Sequence, residues 1–207
     1  MTQMPRPISA ILLAGGKSSR MGRDKARLKL DGRLMMLQSV ARKLSAVSDE
    51  VIIATDGRRY DDIGVRVKWV ADVHPGAGSL VGLYSGLREA SSDYALVVAC
   101  DMPFLNLDLL RYMIALPRDY DILAPRVGDK IEPLHAIYSR GCLPPIARLL
   151  EAGHLRIIDL FGEVLVRYLS EEAFEKYDPE HRSFFNINSP DQLAEARAII
   201  EKSQGEG

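Results

Sequence analysis

Ile8-Ser9-Ala10-Ile11-Leu12-Leu13-Ala14-Gly15-Gly16 is the stretch whose reading decides the fold. The apolar run is short, nearly continuous, and stops at two glycines. A strand with one wet face alternates apolar and polar residues. A strand covered by helices on both faces does not need to. The run therefore predicts a strand buried on both sides, as in a parallel sheet.

Working outward, Leu34, Leu37, Val40, Ala41, Leu44 and Val47 recur at helical spacing. Val51-Ile52-Ile53-Ala54 predicts a second buried strand, closed by Thr55-Asp56-Gly57, and Val67-Lys68-Trp69-Val70 a third. Leu80, Leu83, Tyr84 and Leu87 form another helical face. Residues 94–100 make the most apolar strand, cut off by Asp101-Met102-Pro103. Residues 107–116 read as a helix and residues 121–124 as a fifth strand. Strands that alternate with helices imply crossover units. The fold class is thus α/β: a three-layer, Rossmann-like architecture with a mostly parallel sheet and helices on both faces.

The second half is less regular. His135 to Tyr138 predicts a strand, and residues 143–150 a helix whose first turn accepts Pro144 and Pro145. Residues 164–169 read as a strand, residues 171–182 as a charged stretch turning at Asp178-Pro179, and residues 184–188 as a short strand. Ser189 then caps a last helix with Pro190 at its first position. There is no internal repeat or low-complexity segment. The chain reads as one domain over 1–207, with a regular half of about 8–125 and a less regular half of about 126–200.

Composition excludes several classes. The 207 residues are 47% hydrophobic and 27% charged, with 27 Lys and Arg against 28 Asp and Glu. A net charge of -1 does not suit a nucleic-acid binder. The charge is uneven, however: residues 15–33 hold seven Lys or Arg against two Asp. A local cationic loop on a neutral chain suits a small anionic ligand, although a solvated basic loop has the same composition. Two cysteines, Cys100 and Cys142, give neither a disulfide framework nor a zinc motif. No apolar run reaches the ~20 residues that span a bilayer, and residues 1–7 do not resemble a signal peptide. The expectation is a soluble cytoplasmic protein that engages neither membrane nor nucleic acid.

The loop Leu13-Ala14-Gly15-Gly16-Lys17-Ser18-Ser19-Arg20-Met21-Gly22-Arg23-Asp24-Lys25 carries the chemistry. Ligands of open α/β sheets sit beyond the carboxyl ends of the strands. Glycines there let main-chain N–H groups approach phosphate oxygens. Lys25 and Arg20 can reach the same anion. The spacing is neither a P-loop nor GxGxxG, and a glycine pair alone is also consistent with a tight turn.

The whole pattern resembles the LAGGxSxRMGxxK loop of nucleotidyltransferases, in the form of the molybdenum cofactor guanylyltransferase family. The resemblance continues in chain order. Asp72 with Pro75-Gly76-Ala77-Gly78-Ser79-Leu80-Val81-Gly82-Leu83 is similar to the family's second nucleotide loop. Asp101-Met102-Pro103-Phe104-Leu105 is similar to its metal loop. Glu132-Pro133-Leu134-His135-Ala136 and Phe185-Asn186-Ile187-Asn188-Ser189-Pro190 are similar to its acceptor-side segments. Ser79 stands where the family usually has Pro, and Ala54 where some relatives place Asn. Neither departure touches the phosphate chemistry.

The resemblance implies a nucleotidyltransferase-type fold and transfer of GMP from GTP to molybdopterin or Mo-molybdopterin. It implies that pyrophosphate is released, that Mg²⁺ is required, and that the half of about 8–125 is nucleotide-binding and the half of about 126–200 acceptor-side. It implies catalytic roles for Lys25, Arg20 and Asp101, with Asp101 the metal ligand. Leu13, Ala14, Gly15, Gly16, Lys25, Asp72, Gly76, Gly78 and Asp101 would bind nucleotide, and Asn186, Asn188, Glu132 and His135 the acceptor. From the residues alone, Asp72 also reads as a strand-ending turn, Asp101 as a cap, the asparagines as local backbone partners, and His135 as a packed structural residue. A molybdenum-insertion protein or a target molybdoenzyme is the partner the family implies. The alternatives are a cytidylyltransferase, or another enzyme of this fold with a different base or acceptor, and a non-catalytic nucleotide or cofactor carrier. The cytidylyl relatives typically carry LAAG where Ala14-Gly15-Gly16 stands here.

Overall fold

The first strand, β1 (Ser9–Leu13), is buried along its whole length. The computed structural model describes residues 7–15, 24–73 and 78–205. Side chains of β1 alternate between two cores. Ala10 and Leu12 pack on one face with Leu37, Val40, Ala41 and Leu44 of α1 (Met36–Ser45). They share that face with Leu109, Leu110 and Met113 of α3 (Leu107–Ala115). Ile11 and Leu13 pack on the other face with Leu80, Leu83 and Leu87 of α2 (Ser79–Glu89) and Ile146 of α4 (Leu143–Glu151). One apolar run feeding two cores produces three layers.

The same split holds for β2 (Glu50–Thr55), β4 (Tyr94–Ala99), β5 (Ile122–Val127) and β7 (His135–Ser139). With β3 (Lys68–Ala71) and the two-residue β6 (Lys130–Ile131), they form one sheet in the order β3-β2-β1-β4-β7-β5-β6. The last strand, β8 (Val166–Leu169), pairs with β5 in parallel. β1, β2, β3 and β4 are mutually parallel. The chain moves from β1 outward to β3, then returns to place β4 on the other side of β1. That reversal opens a crevice between the carboxyl ends of β1 and β4.

Two features depart from the sequence reading. β7 is antiparallel to both neighbours, and it lies between β4 and β5, so both expected halves contribute to one sheet. Residues 184–188 are not a strand. Arg182–Phe184 is a 3-10 turn, and the Ile187 N–H donates to the Asp101 carbonyl instead of to a ladder. The Asn188 N–H donates to Gln192 Oε1. The remaining elements are α5 (Glu171–Phe174) and α6 (Pro190–Gly205). Ser189 Oγ accepts from the Gln192 N–H, the capping bond expected at this start. Among the described residues, no helix is long and apolar enough to cross a membrane.

Candidate active site

Parallel pairing brings the ends of β1 to β4 to one edge, and main-chain bonds beyond the strands tie their loops together. The Ala14 N–H donates to the Ala54 carbonyl at 2.9 Å, Asp72 to Thr55 at 2.7 Å, and Cys100 to Leu13 at 3.0 Å. Because β7 runs the opposite way, its start arrives at this edge too, and the Ala99 N–H donates to the Leu134 carbonyl at 3.1 Å. A cleft of about 240 Å³ opens there. Leu13, Ala14, Gly15, Lys25, Asp72, Gly78 and Asp101 all line it. The structure thus brings together every expected nucleotide contact that falls within the described residues. Gly16, Arg20 and Gly76 lie outside them.

The glycines have identifiable jobs. A Cβ on Gly15 would lie 2.9 Å from Asp72 Oδ2, and one on Gly82 would lie 3.1 Å from Leu13 Cδ2 and 3.5 Å from Asp72 Oδ1. The Asp72 carboxylate therefore fills the space that two missing side chains leave. Gly78 caps α2 with φ +104°, a conformation that favours glycine, and no side chain caps the helix there. The first N–H groups of α2 face this end of the sheet uncapped, an arrangement suited to anionic oxygen.

Lys25 is the centre of the charge pattern. It opens a 3-10 turn, Lys25–Arg27, and its Nζ donates to Asp101 Oδ2 at 2.9 Å and to Asn188 Oδ1 at 2.7 Å. One ammonium thus joins the turn after β1, the turn after β4 and the segment before α6. An ammonium has three donors, so two bonds leave one for a phosphate oxygen. Asp72 lies across the cleft. Burial, and secondarily the Asp56 carboxylate, push its carboxyl up to about 6. Its Oδ1 is buried without a hydrogen-bond partner. Burial pushes the Cys100 thiol up to about 12, so it stays protonated and is no nucleophile.

A hard divalent ion prefers oxygen donors and keeps positions for phosphate. Asp101 and Asn188 supply such oxygens on one ammonium. Among the described residues, no group of three or more His, Cys, Asp or Glu could cage a metal alone. The donor set fits an ion shared with a triphosphate.

The other acceptor-side residues are placed differently. Asn186 Nδ2 donates to the Phe184 carbonyl at 2.9 Å. Glu132 lies in a separate cleft with Phe184, Phe185 and His181, and pairs with Lys130 at 2.8 Å. His135 has 0% exposure, its ring edge-on to Phe184 at 5.0 Å. Both ring nitrogens lack partners, and burial lowers its pKa to about 4. Sequence reasoning missed Asp24 and Arg58, which also line the cleft with Lys25 and Asp101. Asp24 sits in the quoted loop, but no spacing signal marks Arg58.

The sequence profile of the MobA-like NTP transferase domain matches residues 10–165. The chain belongs to the MobA-like NTP transferases. Like other members, this MobA-like chain is a nucleotidyltransferase. A probable molybdenum cofactor guanylyltransferase of Pelotomaculum thermopropionicum is 39% identical over 196 residues, covering 95% of both chains. The molybdenum cofactor guanylyltransferase of Desulfosudis oleivorans is 36% identical, covering 93% of this chain and 96% of that one. Among solved structures, molybdopterin-guanine dinucleotide biosynthesis protein A from Archaeoglobus fulgidus superposes with a TM-score of 0.81 at 28% identity. It covers 94% of this chain and 100% of that one. A 2-C-methyl-D-erythritol 4-phosphate cytidylyltransferase from Thermus thermophilus, at 16% identity and a TM-score of 0.67, shares the fold of this MobA-like transferase.

Proposed function

We propose that this nucleotidyltransferase acts in molybdenum cofactor biosynthesis, moving GMP from GTP to molybdopterin or Mo-molybdopterin with release of pyrophosphate. The observation that carries the reading is the pair of hydrogen bonds that the Lys25 ammonium donates, one to Asp101 on the nucleotide side and one to Asn188 on the acceptor side. The names of the relatives supply the base and the acceptor.

In this reading the triphosphate lies along the Gly15 main chain and the start of α2, with Asp72 facing the nucleoside. The third N–H of the Lys25 ammonium donates a hydrogen bond to a phosphate oxygen. An oxygen of the acceptor's terminal phosphate attacks the α-phosphorus in line. The new P–O bond forms as the bond to the β-phosphate breaks, and the electron pair leaves with pyrophosphate. The attacking phosphate is already ionised, so no side chain need remove a proton. Catalysis then rests on positioning and charge. Asp101, with Asn188 beside it, would hold Mg²⁺, which when bound neutralises phosphate charge. Residues 8–125 serve the nucleotide and residues 126–200 the acceptor, with Asn186, Asn188 and Glu132 on that side and His135 packed beneath it. A cytoplasmic setting suits these small anionic substrates. A molybdenum-insertion protein or a target molybdoenzyme would receive the product.

The test is a nucleotide panel. Purified protein, Mg²⁺ and molybdopterin are incubated with GTP, CTP, ATP or UTP, and the dinucleotide is identified by mass. A guanine product with equimolar pyrophosphate is expected. A cytosine product would move the chain to the cytidylyl class, and no product with any nucleotide would refute transfer.

A further inference from the structure

Lys25 reaches Asp101 and Asn188 from a turn of only three residues, so something must hold that turn in place. Both of its flanks end on Tyr60, in the segment between β2 and β3. On one side, Asp24 accepts the Tyr60 hydroxyl at 2.9 Å through Oδ2, while its Oδ1 accepts the Ala26 N–H at 3.1 Å. On the other, the Arg27 guanidinium lies over the Tyr60 ring, 5.3 Å from its centroid. Arg58 braces the same carboxylate, donating to Asp24 Oδ2 at 3.2 Å and to Asp56 Oδ1 at 2.7 Å.

Tyr60 is suited to be a fixed point. It is only 4% exposed, and its ring stacks on Trp69 of β3 at 6.1 Å. Burial and the bond to Asp24 raise its pKa far above the ordinary tyrosine value, so its hydroxyl remains a donor at any working pH. Trp69 pairs in register with Ile53 of β2, which ties the post to the sheet.

We propose that Tyr60, acting through Asp24 and Arg27, is a positioning residue that sets where the Lys25 ammonium stands. Tyr60 is not among the residues lining the cleft, so its effect on the reaction passes through Lys25. The proposal rests on the reading that Lys25 meets the phosphates. A misplacement of about 1 Å at such a group costs up to about a hundredfold in rate. Loss of one of two anchors is therefore expected to lower kcat about tenfold, with little change in KM for GTP.

The test uses the full chain and two independent readouts. Tyr60→Phe removes the hydroxyl and keeps the ring, Tyr60→Leu removes both, and Asp24→Asn keeps an oxygen for the Ala26 N–H while losing the charge. The first readout is the acetylation rate of each lysine by mass spectrometry. Lys25 is expected to react several-fold faster in all three variants, most in Tyr60→Leu. Lys43, held by the carbonyls of Pro103 and Leu105, should keep its rate, as should exposed Lys68. An unchanged Lys25 rate, or an equal rise at Lys43, overturns the proposal, because Tyr60 would then support either nothing or the whole fold. The second readout is a double-mutant cycle on kcat. Tyr60→Phe should slow the wild type but add nothing in a Lys25→Ala background. Additive losses overturn the proposal. Full activity in Lys25→Ala alone would instead remove Lys25 from the chemistry, while the acetylation rates would still decide whether Tyr60 holds it.

Discussion

Replacing Asp72 by Asn should make the protein more stable at neutral pH and a poorer binder of nucleotide. The Asp72 carboxyl is pushed up to about 6, mainly by burial. In the unfolded chain it titrates near 4, as an ordinary aspartate does. Below about pH 4 both states hold the proton and folding carries no penalty. Between pH 4 and 6 the unfolded chain ionises first, so the fold loses about 1.4 kcal/mol per pH unit. Above pH 6 the cost is complete, at about 3 kcal/mol. Asparagine has the same shape and never ionises, but it leaves an amide unpaired where Oδ1 already lacks a partner, at about 1 kcal/mol. Asp72→Asn should therefore be about 1 kcal/mol less stable than wild type at pH 4 and about 2 kcal/mol more stable at pH 7.5. Urea unfolding followed by circular dichroism across that range measures the crossing. A difference independent of pH, or a variant less stable at both ends, would refute the argument. The gain should come with a rise of tenfold or more in KM for GTP, the usual conflict between a strained site and stability.

Two further substitutions test the packing. Gly86→Ala would put a Cβ 2.6 Å from Ile11 Cγ2, in a core where Ile11 has no room to move. After the helix-propensity gain, a net loss of about 1–2 kcal/mol is expected, read as a Tm several degrees lower with kcat unchanged; a Tm at or above wild type would show that β1 and α2 are looser than described. His135 is a base whose pKa burial lowers to about 4, so it is neutral in both states above its unfolded value near 6.5, and the fold loses stability as pH falls from there toward 4 because the unfolded chain takes the proton first. His135→Leu should leave stability at pH 7.5 within about 1 kcal/mol of wild type, because neither ring nitrogen has a partner to lose, and should shift acid unfolding to lower pH. An unchanged acid midpoint would contradict a neutral buried imidazole.

Much of this was legible in the sequence because a parallel sheet writes its strands as unbroken apolar runs. Residues 8–14, 51–54 and 94–100 each predicted a strand, and each became one. The loops after them, and after the neighbouring parallel β3, then had to share an edge, which is why Gly15, Asp72 and Asp101 meet. The antiparallel course of β7 was not legible, since a five-residue strand carries no mark of its direction. Residues 184–188 look like a strand by residue type, but their N–H groups find partners in the Asp101 turn and the α6 cap. The role of Tyr60 was hidden for a similar reason. It follows from three-dimensional contacts to Asp24, Arg27 and Trp69, which leave no periodic trace.

The most direct measurement of the central claim compares Asp101→Ala with wild type in two assays on the same preparations: GTP binding by calorimetry and molybdopterin-dependent pyrophosphate release. The variant should still bind GTP, since the Gly15 main chain and the start of α2 are untouched, yet release pyrophosphate at least a hundredfold more slowly. Equal release by variant and wild type would show that the junction of Lys25, Asp101 and Asn188 is not where phosphoryl transfer takes place.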